Sequence, residues 1–321
     1  MERAPGAAHG QLMRHFIASG AAAAGLLLVA LLAPSALRGQ EKDLDTPYVQ
    51  TPQVVVDKML ELAKVGPDDY VIDLGSGDGR MVITAARKYG ASGFGVDLDR
   101  RLVELANRNA AKAGVAKRAV FYERNLFETD VSPATVMSIY LLPDVNLAIR
   151  ARLLATLRPG TRIVSHDYNM GEWPPDFQLE MDAPGKTVGI GQRSKVFYWM
   201  VPGRAAGKWR WQVKREGGAD DYELSLNQNF QKLSGTLAVN GRPAKLENPT
   251  LSGEKITLTA VVGEGAAAAR YEFSGRIFNH AIDGTARGGR NGQGPELAWS
   301  ATRTQIWDPR HMAEDVVQSP K

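Results

Sequence analysis

Val71-Ile72-Asp73-Leu74-Gly75-Ser76-Gly77-Asp78-Gly79-Arg80 decides the fold of this 321-residue chain. An apolar run ends in an acid, and a glycine loop then opens into a helical pattern from Met81 to Tyr89. Glycines let a backbone turn sharply and approach a ligand that any Cβ would block. Asp73 stands two residues before the first glycine, placed to accept hydrogen bonds from an ammonium group. A dinucleotide fingerprint carries glycines at its first, third and sixth positions. Here Arg80 stands sixth and the third glycine comes one residue early. The loop therefore suits a nucleoside carrying an amino acid better than a dinucleotide.

Downstream, Gly93-Phe94-Gly95-Val96-Asp97 reads as a second short strand ending in a carboxylate. It follows the loop by about twenty residues, which in a βαβ unit puts the acid beside a ribose. Helix and strand signals keep alternating on both sides. Thr51-Pro52 opens a helix closed at Gly66-Pro67, with Pro52 suited to its first turn. Tyr70 to Leu74 is a strand, Arg101 to Ala113 a helix, Ala119 to Glu123 a strand, Thr135 to Leu141 a strand, Val145 to Leu157 a helix and Arg162 to Ser165 a strand. Such alternation predicts an α/β fold: a Rossmann-like parallel sheet with helices on both faces. Gln178 to Met181 and Lys195 to Met200 read as a closing strand pair.

These residues resemble the seven-strand class I S-adenosylmethionine-dependent methyltransferases, whose first motif is an acid-x-Gly-x-Gly-x-Gly loop. The resemblance covers about Tyr48 to Pro202. Pro47-Tyr48-Val49-Gln50-Thr51-Pro52, Tyr140-Leu141-Leu142-Pro143 and Ser165-His166-Asp167 are similar to a bacterial branch near the small protein-lysine methyltransferases. The resemblance implies S-adenosylmethionine as cofactor, held by Asp73, Gly75, Ser76, Gly77, Gly79, Asp97 and Leu98. It also implies Asn125 against the adenine amine, Leu126 and Phe127 flanking the ring, and Thr51 near the methionine carboxylate. A loop turn at Asn125, core roles for Leu126 and Phe127, and a helix N-cap at Thr51 are the plainer alternatives.

The acceptor belongs at the C-terminal end of the fourth strand, where ligands gather in open α/β sheets. Tyr140 is placed to pack on, or hydrogen-bond to, an incoming amine. Asp144 faces the acceptor or caps the following helix, and His166 with Asp167 orients the acceptor, takes a proton, or lies at the surface. Family members acting on amide or aromatic amino nitrogens carry an Asp/Asn-Pro-Pro-Tyr/Phe word where this chain has Tyr140-Leu141-Leu142-Pro143. That departure argues against DNA-adenine and glutamine methylation. A divalent-metal site would have to use Asp144, Asn146, Asp167 and Asn169, whose spacing is not that of a metal cage. No metal is expected.

Beyond a linker at Pro202 to Gly207, the period drops to two. Trp209, Trp211 and Val213 alternate with polar residues, and Asn240-Gly241 marks a hairpin. A word recurs: Leu233-Ser234-Gly235, Phe273-Ser274-Gly275 and Ile282-Asp283-Gly284. The pattern predicts a seven-strand antiparallel meander, a small barrel or curled sheet. The domains read as 46–202 for the methyltransferase, 208–305 for the β accessory domain and 306–321 as a loose tail.

At the N-terminus Arg3 and Arg14 precede an uncharged stretch from Phe16 to Leu37, followed by small residues and then acids. A basic head, an apolar middle and a small-residue exit describe a signal peptide at 1–40. Left uncleaved, it is long enough to anchor the chain in the inner membrane. The chain is thus expected in the periplasm or outside the cell, or cytoplasmic if the start is mis-assigned. With no cysteine there is no thiol nucleophile and no disulfide. A formal net charge of +4 without basic blocks predicts no nucleic-acid partner. Monomeric N-methylation of a protein lysine is the leading expectation. A small-molecule O- or N-methyltransferase, and an exported binding protein on an idle methyltransferase domain, are the alternatives.

Overall fold

The computed structural model describes residues 48–306, apart from 190, 216–217, 266–267 and 291–293. The expected export segment and nearly all of the expected tail lie outside these residues. Among the described residues no helix is long and apolar enough to cross a membrane.

The first half builds a seven-stranded sheet from β1 (Tyr70–Leu74), β2 (Ser92–Asp97), β3 (Ala119–Glu123), β4 (Val136–Ile139), β5 (Arg162–His166), β6 (Phe177–Asp182) and β7 (Arg193–Met200). Their order across the sheet is β3-β2-β1-β4-β5-β7-β6. The first five are parallel, while β7 runs antiparallel to both β5 and β6. Strand order reverses beside β1, so the glycine loop leaves the sheet at the crevice where α/β folds bind ligands.

Helices α1 (Gln53–Leu62), α2 (Arg80–Tyr89), α3 (Arg100–Lys112) and α4 (Pro143–Thr156) cover the sheet. Alternation along each strand divides the apolar residues between two layers. Val71, Val136, Val164 and Val196 pack with α1, α2 and α3. Ile72, Met137, Ile163 and Trp199 pack with α4 and Trp173 on the other side. Asp73 and Ser138, directly paired across β1 and β4, share the face of Val71 and Val136, which buries the acid among α-helical apolar groups.

The second half is a closed antiparallel barrel of eight strands, one more than the alternation predicts. They are β8 (Gly207–Arg215), β9 (Gly218–Asn229), β10 (Lys232–Val239), β11 (Arg242–Ser252), β12 (Lys255–Val262), β13 (Ala269–Phe278), β14 (Ala281–Arg290) and β15 (Glu296–Gln305). β15 pairs back onto β8 to close the ring. The unforeseen strand is β11. It carries Pro243 and Pro249, and its register against β12 shifts between Glu247 and Thr250, so no clean period survives. Trp209, Trp211, Tyr222, Phe273 and Trp299 fill the interior. The recurring glycines are close-approach positions: a Cβ at Gly284 would stand 2.0 Å from the Ser274 carbonyl oxygen, and one at Gly235 2.0 Å from that of Ser225.

The segment between sheet and barrel is packed, not loose: Val201, Gly203 and Ala205 are buried. The Gly203 amide donates to the Gly253 carbonyl at 2.7 Å. The tip between β9 and β10 reaches into the sheet's own core, where Phe230 stacks on Trp173 at 5.9 Å with rings 10° from parallel. Trp173 Nε1 donates to Gln231 Oε1, and Gln231 Nε2 donates to the Pro174 carbonyl.

Candidate active site

The glycine loop is built for backbone contact. Gly75, Gly77 and Gly79 have φ of +77°, +53° and +82°, a region that residues with a Cβ rarely enter. A Cβ on Gly77 would stand 2.4 Å from Tyr48 Cε2, and one on Gly79 2.6 Å from Phe121 Cζ. Ser76 is buried with its hydroxyl unpartnered, and its side chain sits where a Cβ on Gly95 would collide. Asp97 Oδ2 accepts from the Gly77 amide at 2.9 Å, while Oδ1 accepts from the Asp99 amide at 3.0 Å. Leu98, beside it, is two-thirds exposed.

Asp73 is buried beneath the loop. Burial pushes its carboxyl up to about 7, opposed by the Ser138 hydroxyl and reinforced by Asp97 and Asp78. A buried carboxylate without a counter-charge is costly, so this one is set to receive a cation. Arg80 does not supply it. Its guanidinium grips Asp78 and donates to the Thr51 carbonyl at 2.7 Å, tying the loop to the segment before α1. The sequence gives no hint of this strap.

A second cluster lies at the ends of β4 and β5. Leu74 pairs with Ile139 and Ile139 with Ser165, so Gly75 and Tyr140, each one step past its strand, lie level with His166, the last residue of β5. The Tyr140 and His166 rings are 4.0 Å apart. His166 is fully buried; Nδ1 meets Thr51 Oγ1 at 3.1 Å and Nε2 meets Ser194 Oγ at 2.8 Å. Burial holds the imidazole below its ordinary value and therefore neutral. The Thr51 side chain is spent on His166, and α1 has no side-chain cap.

Asp167 follows with φ +62°, which turns its carboxylate back over the sheet end. Oδ1 accepts from the Lys195 amide at 3.0 Å. Oδ2 faces Tyr140 Oη at 3.4 Å and Lys186 Nζ at 2.6 Å. Burial, the Asp167 carboxylate and the neighbouring Tyr168 push the Tyr140 hydroxyl far above its usual range, so it stays protonated. Asp144 is exposed in the first turn of α4, one residue after Pro143 at N1. Asn125 spends Oδ1 on the Phe127 amide at 2.9 Å, and the Leu126 carbonyl accepts from Arg152 at 3.0 Å. The structure thus brings Thr51, Tyr140, His166 and Asp167 together, with the glycine loop and Asp97 alongside. It makes Asn125 a turn, and Asp144 stands at the surface in the first turn of α4. Lys186, Ser194 and Ser138 join from positions the sequence did not single out.

The S-adenosylmethionine expected from the sequence fits these groups. The glycine cradle leaves no room for side chains, Asp73 has no cationic partner among the described residues, and Asp97 has further lone pairs for sugar hydroxyls. Among the described residues no group of three or more His, Asp or Glu side chains is placed to hold a metal ion.

Residues 73–177 match the family described as the ANTKMT methyltransferase domain. A protein-lysine N-methyltransferase of Saccharolobus islandicus (strain REY15A) is 45% identical over 137 residues, spanning 42% of this chain and 85% of that protein. The adenine nucleotide translocase lysine N-methyltransferase of Mus musculus is 30% identical over 158 residues, 49% of this chain and 69% of that one. A crystal structure described as an RNA methyltransferase from Salinibacter ruber, with S-adenosyl-L-homocysteine bound, is 48% identical. It spans 48% of this chain and 94% of that one, with a TM-score of 0.44.

Proposed function

This chain belongs to the ANTKMT methyltransferase-domain family of S-adenosylmethionine-dependent enzymes, and on that premise we propose that it methylates lysine amines of a protein. The observation that carries this reading is the aromatic and acidic corner next to Gly75. There a carboxylate oxygen of Asp167 and the Tyr140 hydroxyl converge within 3.4 Å at the end of the sheet.

Asp73 and the glycine loop would hold the amino-acid end of the cofactor, Asp97 the ribose, and Leu98 with Leu126 the adenine. When bound, the cofactor supplies an electrophilic methyl on a sulfonium. The chain's own task is alignment, which lowers a barrier by roughly 7–11 kcal/mol in favourable cases. Tyr140 offers an aromatic surface to an ammonium, which it attracts through its ring. Asp167 draws that cation in and then holds one N–H of the free amine, fixing the direction of its lone pair. Freeing a lysine amine at neutral pH costs about 4–5 kcal/mol from its reference pKa of ~10.4. Desolvation beside Tyr140 reduces this cost. Neither Tyr140 nor His166 acts as a strong base: one keeps its proton, and the other has both ring nitrogens engaged. His166 instead positions Thr51.

The full chain, given S-adenosylmethionine with a labelled methyl and a lysine-rich protein, is expected to yield methyllysine on acid hydrolysis. Label found only in RNA or in small molecules would overturn this reading. We also propose that the chain is exported to the periplasm or outside the cell by an N-terminal signal peptide, or is anchored in the inner membrane, a reading supported by the basic head and apolar run of residues 1–40. Sequencing of the mature N-terminus checks it.

A further inference from the structure

We propose that Lys186 is a methyl acceptor within its own chain, an inference that rests on the lysine-methyltransferase reading above. Lys186 sits in the connection between β6 and β7. Its Nζ lies 2.6 Å from Asp167 Oδ2 and donates to the Arg193 carbonyl at 2.6 Å. The side chain is only 7% exposed, although Gly185, Thr187, Val188 and Gly189 around it are all exposed. The lysines that pair with Glu61, Asp57 and Glu247 keep 33%, 42% and 73% of their side-chain surface in water. Lys186 is therefore the desolvated amine of this set, and a glycine-rich connection delivers it. Gly185 and Gly191 have φ of +85° and +68° with open space about them, which lets the backbone turn the lysine inward.

The place it reaches is the acceptor corner. The Asp167 oxygen it holds is the one that Tyr140 Oη meets at 3.4 Å and that lies 3.5 Å from His166 Nε2. Tyr140 in turn lies level with Gly75 at the head of the glycine loop. Lys186 thus occupies the seat in which an amine from another protein would be aligned. A buried ion pair is a weak source of stability, because desolvation offsets its attraction. Stability alone does not account for placing a lysine here.

The reaction balances with the cofactor of the enzyme itself. The Lys186 ammonium first gives a proton to Asp167 or to water, and the lone pair so freed forms the N–C bond while the C–S bond breaks. Its electron pair returns to sulfur, converting the sulfonium to a thioether. Each methyl added removes an N–H, so a trimethylated Lys186 has none left for Asp167 or for the Arg193 carbonyl.

The test uses the full-length protein with labelled-methyl S-adenosylmethionine and no added acceptor, followed by peptide mass spectrometry. Methylation is expected at Lys186, with a first-order rate independent of protein concentration, and it is lost in Lys186→Arg. That variant should bind S-adenosylhomocysteine with unchanged affinity, which checks its fold. A readout apart from turnover is the reactivity of the Lys186 amine toward acetic anhydride. It is expected to be low in the native protein and to rise several-fold in Asp167→Asn. Methyllysine formed on an added protein, with Lys186 never methylated, would overturn the inference and leave the enzyme reading standing. A Lys186 signal that grows with protein concentration would also overturn it, since the acceptor would then be presented in trans. Absence of S-adenosylhomocysteine binding in the native chain would overturn both.

Discussion

Asp97 Oδ2 accepts a hydrogen bond from the Gly77 amide at 2.9 Å. The acid that ends β2 and the loop that follows β1 are thus a single unit, and its other oxygen fixes the Asp99 amide at the start of α3. Replacing Asp97 removes a sugar acceptor and the anchor of the loop together. Hydrogen bonds to charged groups contribute about 1.5–3 kcal/mol each. Asp97→Ala is expected to weaken S-adenosylhomocysteine roughly 10²-fold in titration calorimetry. Asp97→Asn retains an acceptor for Gly77 and should lose about tenfold. Unchanged affinity in the alanine variant would remove Asp97 from the site.

The buried Asp73 makes binding depend on pH. Burial raises its carboxyl from an ordinary 3.8 to about 7 in the folded chain, with nearby Asp97 and Asp78 adding to the shift. The folded protein therefore keeps this proton where the unfolded chain loses it. The associated stability is complete below 3.8 and disappears as pH rises through about 7. A bound ammonium favours the charged carboxylate, so binding below pH 7 must expel the proton. Affinity for S-adenosylhomocysteine should fall about tenfold per pH unit as pH drops below that value. Calorimetry in two buffers of different ionisation heat would count the released proton. Asp73→Asn should bind weakly at all pH values and flatten the slope; a native profile without slope contradicts the role given to Asp73.

The sheet was legible because β1 and β2 are apolar runs that carry Asp73 or Asp97 at or next to their ends, with glycines beside them that no helix interior welcomes. β1 and β3 were read to the residue. The acceptor corner was legible only in part. Tyr140 follows β4 and His166 ends β5, so period and order place them. Asp167 gained its role through a left-handed backbone that no spacing announces. Lys186 is a charged residue in a glycine-rich connection, where sequence has no period to read. Thr51 resembled a cap because caps and ligands use the same hydroxyl; its partner His166 lies 115 residues away. β11 escaped because two prolines and a register shift erase alternation.

Tyr48 lies where a side chain on Gly77 would project, 2.4 Å from that Cβ position. Gly77→Ala thus meets two obstacles: a φ of +53° and the ring. Left-handed strain and displacement of Tyr48 each cost of order 1–3 kcal/mol. The variant is expected to unfold at lower denaturant and to lose measurable cofactor binding. Adding Tyr48→Ala should recover the steric part of the stability loss and leave the backbone part. Additive losses in the double variant would show that the ring and the loop do not press on each other.

Phe230 joins the barrel to the sheet. Its ring stacks on the fully buried Trp173 and lies 5.8 Å below the Arg150 guanidinium, while the neighbouring Gln231 exchanges hydrogen bonds with Trp173 and Pro174. An aromatic pair of this kind adds about 0.5–1.5 kcal/mol beyond its buried area, and truncating a well-packed Phe costs about 3–5 kcal/mol. Phe230 is only partly buried, so Phe230→Ala should cost about 2–3 kcal/mol. The loss falls on the coupling between two cores, each of which has its own apolar cluster. Calorimetric unfolding is expected to be one cooperative transition in the native protein and two separated transitions in the variant. The barrel should melt independently of added S-adenosylhomocysteine and the sheet should be raised by it. Two transitions already present in the native chain would mean that Phe230 does not carry the coupling.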